Sequence, residues 1–257
     1  MGTRAMLAGL VLVAAACSGG RSAPSDVAVP VAPSSPSATS SPAGTSAPAP
    51  EPFALPTGPG TPIVRADGDA FWVRDRLGGQ GWRLRAANPW GQQLALPVLR
   101  HVRRAGVDWL RVLVPERPNG RTGWIDAAQV IVDTVPGRIV VDLSDHQLRR
   151  FTGGEVAADY TVGVGRDETP STTGLFFVWA QVAYTDRLGP YGSNALGLSA
   201  FSEVITEWRG GGRMAIHGTA DASDRGLDVS FGCIRVYNPQ MDALRNVPMG
   251  TPVLIRA

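Results

Sequence analysis

The chain has 257 residues, enough for one large or two small domains, and its 44% of hydrophobic residues excludes a wholly disordered protein. The formal net charge is only +2, and every basic residue is an arginine, scattered along the chain rather than clustered. Because nucleic-acid-binding proteins concentrate basic residues on one face, this distribution argues against nucleic acid as a partner. Abundant glycine and proline, with few helical patterns, favour a mostly β fold with many turns.

Residues 1–17 predict an exported protein. A basic residue precedes an apolar run that ends at Ala16, and this run is shorter than the about 20 residues of a membrane-spanning helix. Cys17 follows small residues, which resembles a bacterial lipobox, although Ala14 stands where Leu is usual. Lipidation of Cys17 would anchor the protein in the cell envelope, at the outer face of the cytoplasmic membrane. The alternative is ordinary cleavage after an Ala-x-Ala site, which would leave Cys17 an unmodified thiol.

Two further segments precede the residues with catalytic character. Residues 18–61 are a low-complexity mixture of Pro, Ser, Ala and Thr, which predicts a disordered linker. Residues 62–134 contain short apolar runs separated by glycine-rich turns, which predicts a small antiparallel β-barrel that resembles a bacterial SH3-like domain. Its tryptophans are interpreted as core residues: Trp72, Trp82, Trp109 and Trp124.

Residues 137–257 predict a second, β-rich domain with one or two short helices. Short apolar runs alternate with Gly-containing turns up to about residue 182, which indicates successive strands. The clearest helix signal is Asn238 as the N-cap, with Pro239 at the first helical position. The fold class predicted for the whole chain is therefore mostly β: a small barrel followed by a β-rich catalytic domain.

The chemistry lies in two short stretches of this second domain. An apolar strand ends at His217-Gly218, and a Ser-x-Gly-Cys turn, from Ser230 to Cys233, follows after a polar loop. A free thiol has a pKa of about 8.5 and is mostly protonated at neutral pH, so it needs a neighbouring base to become a nucleophile. The imidazole of His217 is suited to that role. Gly232 allows the backbone to bend around a bound carbonyl, so that the N–H of Cys233 stabilises an oxyanion.

The pattern His-Gly-Thr, loop, Ser-x-Gly-Cys-Ile-Arg resembles the signature of the L,D-transpeptidase catalytic domain, known as YkuD. The resemblance extends over residues 137–257 and includes the Thr-Pro segment that begins at Thr169. It implies that Cys233 is the acylated nucleophile and His217 its base, and that the carbonyl of Gly218 orients the imidazole. It implies further that three residues shape the oxyanion hole and bind the anionic end of the substrate: Ser230, Gly232 and Arg235.

The sequence departs from the family pattern at two places. Many members carry His immediately before the Gly-Cys pair, where this chain has Phe231. The Thr-Pro segment also lacks the second proline that is common before Gly174. For Arg235, a structural salt bridge is an equally good interpretation as a substrate contact.

The resemblance implies transfer of a peptidoglycan stem peptide between two stems, through a thioester and with release of D-Ala, to give a 3→3 cross-link. Carbapenem-type β-lactams would then be inhibitors. The sequence predicts no cofactor, and with one thiol and dispersed histidines it predicts no metal site. Two alternatives remain: an L,D-carboxypeptidase, in which water replaces the amine, and a non-catalytic lipoprotein that binds the cell wall.

Overall fold

The computed structural model describes residues 58–208 and 210–257. These residues form two large sheets, the first antiparallel and the second mixed, which confirms the prediction of a mostly β fold. Cys17 and the segments predicted as signal peptide and linker lie almost wholly outside the described residues. Within the described ranges, no helix reaches the length and apolar character that a membrane span requires.

The first sheet has seven strands and a barrel-like form. Its strand order is β3-β2-β6-β5-β4-β1-β7. The strands are β1 (Thr61–Ala66), β2 (Ala70–Arg74), β3 (Gly81–Arg85), β4 (Leu96–Arg104), β5 (Val107–Leu113), β6 (Thr122–Asp126) and β7 (Val130–Val135).

The interpretation of the tryptophans as core residues was wrong for Trp72. On β2 the side chains alternate between the two faces of the sheet, so Phe71 and Val73 point inward and are fully buried. Trp72 therefore points outward, and 58% of it is exposed. The other three are half-buried, and Trp82 packs against the core with its indole N–H donating to Glu116.

The second sheet has eight strands in the order β10-β9-β8-β17-β12-β13-β14-β16. A separate parallel pair, β11 with β15, lies beside it. The strands are β8 (Gly137–Asp142), β9 (Gln147–Thr152), β10 (Glu155–Thr161), β11 (Val164–Gly165), β12 (Gly174–Ala183), β13 (Asn194–Phe201), β14 (Arg213–Thr219), β15 (Asp228–Ser230), β16 (Ile234–Tyr237) and β17 (Pro252–Arg256).

The α-helix of the described residues, α1 (Asn238–Leu244), follows β16 directly. Met241 and Leu244 face the core of the second sheet and are fully buried. The prediction of Asn238 as an N-cap was wrong, because the helix already begins at this residue and no side chain caps it. The Asn238 amide bonds outward instead: its oxygen accepts from the N–H of Ser193, and its nitrogen donates to the carbonyl of Arg187.

Strand β12 joins the cores of the two sheets. Its alternate side chains point to opposite faces, so Phe176 and Val178 pack in the core of the second sheet while Phe177 and Trp179 pack with the first. Polar contacts reinforce the junction: the side chain of Gln92 donates to the carbonyl of Gln181 at 2.7 Å. The loop between β3 and β4 is therefore hydrogen-bonded to β12, which pairs with β13 in the second sheet.

Candidate active site

Strand β14 carries His217 in the interior of the second sheet. The strand lies between β13 and β16, where His217 is opposite Ala195 on one side and Arg235 on the other. Only 4% of the residue is exposed. Nδ1 of the imidazole lies 2.8 Å from the carbonyl oxygen of Gly218. Because a carbonyl oxygen only accepts, Nδ1 carries the proton in this contact, and Nε2 is left with its lone pair available to act as a base.

The environment of His217 keeps it neutral. Burial lowers the pKa of His217 from 6.5 to about 4, because the charged imidazolium loses its hydration; the bond to Gly218 opposes this effect, and the nearby charge of Arg235 adds to it. The ring of Tyr191 meets the imidazole edge-on, with 5.3 Å between the ring centroids. At neutral pH the side chain is therefore an uncharged base with a fixed orientation.

Cys233 shares a face of the sheet with His217. Ile216 and Ile234 are paired in the parallel register of β14 and β16, and both are fully buried on one face. Because side chains alternate along a strand, their neighbours His217 and Cys233 both point to the other face. The register thus brings the thiol and the imidazole together as diagonal neighbours on adjacent strands.

The Cys233 thiol is free and half-buried. Burial raises the pKa of the Cys233 thiol above its ordinary value, while a hydrogen bond to the backbone of Ala215 and the charge of Arg235 act in the opposite direction. A raised thiol pKa and a lowered imidazole pKa favour a neutral pair at rest. Such a pair reacts by proton transfer from sulfur to His217 as the nucleophile attacks.

Ser230 holds the turn that leads to the thiol. Its hydroxyl donates to the carbonyl oxygen of Cys233 at 2.6 Å and accepts from the N–H of Gly232 at 3.0 Å. Gly232 has a φ of 109°, a conformation that strongly favours glycine. Since the N–H of Gly232 is bonded to Ser230, Gly232 contributes its backbone shape to the turn rather than that N–H group.

The Thr-Pro segment supports this turn from outside. The hydroxyl of Ser171 is buried; it donates to the carbonyl of Gly232 at 2.9 Å and accepts from the N–H of Gly165. Thr169 donates to the carbonyl of Ser230 at 3.2 Å. The Thr-Pro segment therefore holds both ends of the stretch from Ser230 to Gly232: Thr169 binds the carbonyl of Ser230, and Ser171 binds the carbonyl of Gly232.

Arg235 forms the structural salt bridge that was one of its two interpretations from the sequence. Its Nη1 lies 3.2 Å from Oδ2 of Asp224, which also accepts a hydrogen bond from Thr219. Its Nε is buried and has no hydrogen-bond partner within the described part of the chain. The guanidinium is therefore engaged in a salt bridge, while its buried Nε–H lacks a partner among the residues described.

Comparison with known proteins identifies the family. A model of the L,D-transpeptidase catalytic domain, YkuD, matches residues 136–255. A curated Bacillus licheniformis protein, named as an L,D-transpeptidase YkuD, is 31% identical over an alignment of 153 residues that covers 56% of this chain and 85% of that protein. The chain belongs to the L,D-transpeptidase YkuD family. The correspondingly named Bacillus subtilis protein is 31% identical over 123 residues, covering 48% of this chain and 67% of the relative.

Solved structures of L,D-transpeptidases are also similar to parts of the chain. One from Enterococcus faecium is 25% identical with a TM-score of 0.37, over 47% of this chain and 49% of that chain, about half its length. L,D-transpeptidase 3 of Mycobacterium tuberculosis, solved with a faropenem-derived adduct, is 13% identical with a TM-score of 0.40, over 59% of this chain and 91% of that chain.

The residue that stands where many family members carry His, Phe231, is exposed and packs on Trp208 and Arg166. It is 47% exposed, and its ring meets that of Trp208 edge-on with 5.5 Å between centroids. The guanidinium of Arg166 lies 4.4 Å from its centroid. Phe231 thus belongs to an exposed aromatic and cationic group at the rim of the site.

Sequence reasoning missed two residues that shape this YkuD-type site. Tyr191 contacts the imidazole directly, and Asn238 fixes the backbone of Ser193 beside Gly218. The Asn-Pro pair at Asn238 was a signal, but it was interpreted as a helix cap. Among the described residues, no group of three or more His, Cys, Asp or Glu side chains is placed to hold a metal ion.

Proposed function

We propose that the protein is a peptidoglycan L,D-transpeptidase that forms 3→3 cross-links through a thioester on Cys233. One observation carries this proposal: the register of β14 and β16 places the thiol and the imidazole on one face, with Nδ1 of His217 held by Gly218. Membership of the YkuD family supports the same chemistry.

In the first half-reaction, the sulfur of Cys233 attacks the carbonyl that joins the third, L-centre residue of a tetrapeptide stem to its terminal D-Ala. The thiol proton passes to Nε2 of His217, and the carbonyl oxygen becomes an oxyanion stabilised by the N–H of Cys233. The C–N bond then breaks, the proton moves from His217 to the leaving amine, and a thioester remains. Ser230 and Gly232 hold the turn in which the oxyanion is bound.

In the second half-reaction, the side-chain amine of a diamino acid on another stem attacks the thioester. The amine loses a proton to His217, the C–S bond breaks, and sulfur recovers the proton. Arg235 is assigned to a carboxylate of the donor stem, because a guanidinium suits that group. The reaction as written needs no cofactor.

The rest of the chain is assigned to placing this chemistry in the cell envelope. Residues 1–17 would direct export, Cys17 would carry the lipid anchor at the outer face of the cytoplasmic membrane, and residues 18–61 would be the tether. Residues 62–134 would form the SH3-like domain, and residues 137–257 the catalytic domain. Labelling with radioactive palmitate, lost in Cys17→Ala, tests the anchor; cleavage without label supports the ordinary signal peptide.

The function is tested first by mass spectrometry of the intact full-length protein with and without a carbapenem. We expect an adduct of one β-lactam on Cys233, absent in Cys233→Ala and formed far more slowly in His217→Ala. Gln129→Ala, a change in the short 3-10 turn between β6 and β7, serves as the matched control and should be acylated at the wild-type rate. A folded wild-type protein without an adduct would contradict the proposal and support a non-catalytic wall-binding protein.

The second test separates transfer from hydrolysis. The protein is incubated with a disaccharide tetrapeptide, and the products are resolved by chromatography and mass spectrometry. A cross-linked dimer with loss of one D-Ala supports the transpeptidase. Tripeptide as the exclusive product would replace it with the L,D-carboxypeptidase alternative.

A further inference from the structure

A cavity of about 410 Å³ adjoins the catalytic pair on the side away from Arg235. Its floor lies on the face of the sheet to which His217 and Cys233 point. Three small residues lie side by side across β14, β13 and β12: Ala215, Gly197 and Ala180. The backbone of Ala215 also makes a hydrogen bond to the Cys233 thiol. With about 4.8 Å between neighbouring strands, this floor runs about 14 Å from the thiol. Small floor residues therefore leave room for a chain that ends at the sulfur.

Aromatic side chains form the walls of this cavity: Trp90, Trp179, Tyr184 and Tyr191. The ring of Tyr191 stacks on Tyr184, with 5.4 Å between centroids, and meets His217 with its edge. At the far end, Trp90 and Trp179 meet edge-on at 5.6 Å. Aromatic rings therefore line the cavity both beside the imidazole and around Trp90, which comes from the loop between β3 and β4.

The segment that carries Trp90 is fixed in place before any ligand binds. The side chain of Asn88 donates to the carbonyl of Trp179 at 3.1 Å, and it accepts from the N–H groups of Trp90 and Gln92. Gln92 makes two further hydrogen bonds to the backbone of Gln181. Nevertheless, 60% of Trp90 is exposed. A large apolar side chain held rigidly in an exposed position is the arrangement of a binding residue rather than of a core residue.

The charges around the thiol are divided between two sides. Arg235 and Arg166 lie with the Ser230–Cys233 turn, where a carboxylate of the donor would bind. On the cavity side, none of the described lining residues is acidic, and the charged one, Arg213, places its guanidinium 3.8 Å from the ring centroid of Trp179. An apolar chain with few charges fits this side better than an anionic peptide does.

We propose that this cavity binds the acyl acceptor, an amine at the end of an apolar methylene chain, and that Trp90 determines the affinity for it. The inference rests on the proposed transpeptidase function. In the reaction, the amine nitrogen forms a bond to the thioester carbonyl as the C–S bond breaks. The amine proton passes to Nε2 of His217 and then to the sulfur of Cys233.

The apolar walls of the cavity and the nearby charge of Arg213 also favour the neutral amine, which is the reactive form of the acceptor. An ammonium group is not a nucleophile, and desolvation together with a nearby cation lowers the pKa of an amine. The methylene chain gains contact with the aromatic walls, while the amine is brought to the imidazole that removes its proton. The loop between β3 and β4 therefore contributes a specificity-determining residue to the acceptor side of the reaction.

The test compares the two half-reactions in the full chain with Trp90→Ala, Trp90→Phe and Trp72→Ala. Trp72 is the matched control, because it is a tryptophan of the first sheet with 58% exposure that does not line the cavity. Acylation of Cys233 by a carbapenem measures the donor side. Cross-linking of a tetrapeptide donor to an amidated tripeptide acceptor, at varied acceptor concentration, measures the acceptor KM and the ratio of transfer to hydrolysis.

For Trp90→Ala we expect an acceptor KM raised about threefold to tenfold and a larger hydrolysed fraction, with an acylation rate within twofold of wild type. Trp90→Phe should recover most of the loss, and Trp72→Ala should behave as wild type. An unchanged acceptor KM in Trp90→Ala would overturn the inference, and so would an acylation rate reduced as much as transfer. A wild-type protein that is neither acylated nor active in transfer would instead refute the proposed function itself.

Discussion

The amide oxygen of Asn238 occupies the space beside Gly218 that a β-carbon at this position would need. The same β-carbon would also lie 2.8 Å from the backbone nitrogen of Ser193, so the backbone would have to move. The carbonyl of Gly218 orients His217, and a displaced carbonyl would turn the imidazole. Glycine at this position is thus a requirement of the site as well as of the fold.

We therefore predict that Gly218→Ala slows acylation of Cys233 by a carbapenem about 100-fold, since small misplacements of a catalytic group have effects of that order. The rate is followed by mass spectrometry of the intact protein. Gly58→Ala is the control, because a β-carbon added at Gly58 would have its nearest neighbouring atom 3.9 Å away, at an ordinary contact distance. A Gly218→Ala variant that reacts at the wild-type rate would show that the Gly218 carbonyl does not position the base.

The pH dependence of acylation should reflect the lowered pKa of His217. An ordinary histidine with a pKa of 6.5 is protonated and inactive as a base at pH 5, whereas burial lowers the pKa of His217 to about 4 and leaves it mostly neutral there. The acylation rate should therefore stay high as the pH falls from 7 to 5 and decline only near pH 4. Rates measured from pH 4 to 8 check this, and a decline centred at pH 6.5 would contradict it.

Replacement of Ser230 should weaken both the fold and the reaction. Ser230→Ala leaves the N–H of Gly232 and the carbonyl of Cys233 without the hydroxyl that joins them. A buried group that loses its partner costs about 1–3 kcal/mol, so we expect a loss of unfolding free energy in that range and slower acylation. Urea unfolding measures the first effect. Ser223→Ala, at an exposed serine, should change stability by no more than about 0.5 kcal/mol.

Restoring the usual histidine of the family at Phe231 should have little effect on the nucleophile. The Phe231 ring packs on Trp208 and Arg166 and is exposed, so a histidine in its place would face solvent. We expect Phe231→His to be acylated by a carbapenem within about threefold of the wild-type rate, because an exposed charge is strongly screened. A tenfold acceleration would mean that this position tunes the thiol after all.

The sequence allowed prediction of the residues whose chemistry is local, and it failed where a role depends on distant partners. His217 and Cys233 stand in a distinctive motif, and the β fold follows from short apolar runs between turns. Asn238 also stands in a recognisable pattern, but its amide bonds to Ser193, 45 residues away, which competes successfully with helix capping.

Two of the exposed tryptophans, Trp72 and Trp90, differ in how far the local sequence indicates their position. Trp72 was misassigned although its neighbours Phe71 and Val73 already indicate, by alternation, that it points outward. Trp90 carries no such signal. Its position depends on Asn88 and Gln92, which bond to a strand about 90 residues away, and no local pattern encodes that pairing.

Strand β17, the last strand in the chain, lies inside the second sheet rather than at its edge. It lies between β8 and β12, and the sheet order makes it the link between the β8–β10 meander and the strands that carry His217 and Cys233. Residues 252–256 follow the nucleophile along the chain, so a growing chain presents the thiol before β12 has its second neighbour. Long-range pairing of this kind forms late in folding. The second sheet, on which His217 and Cys233 lie, can therefore be completed only after residues 252–256 have been synthesised.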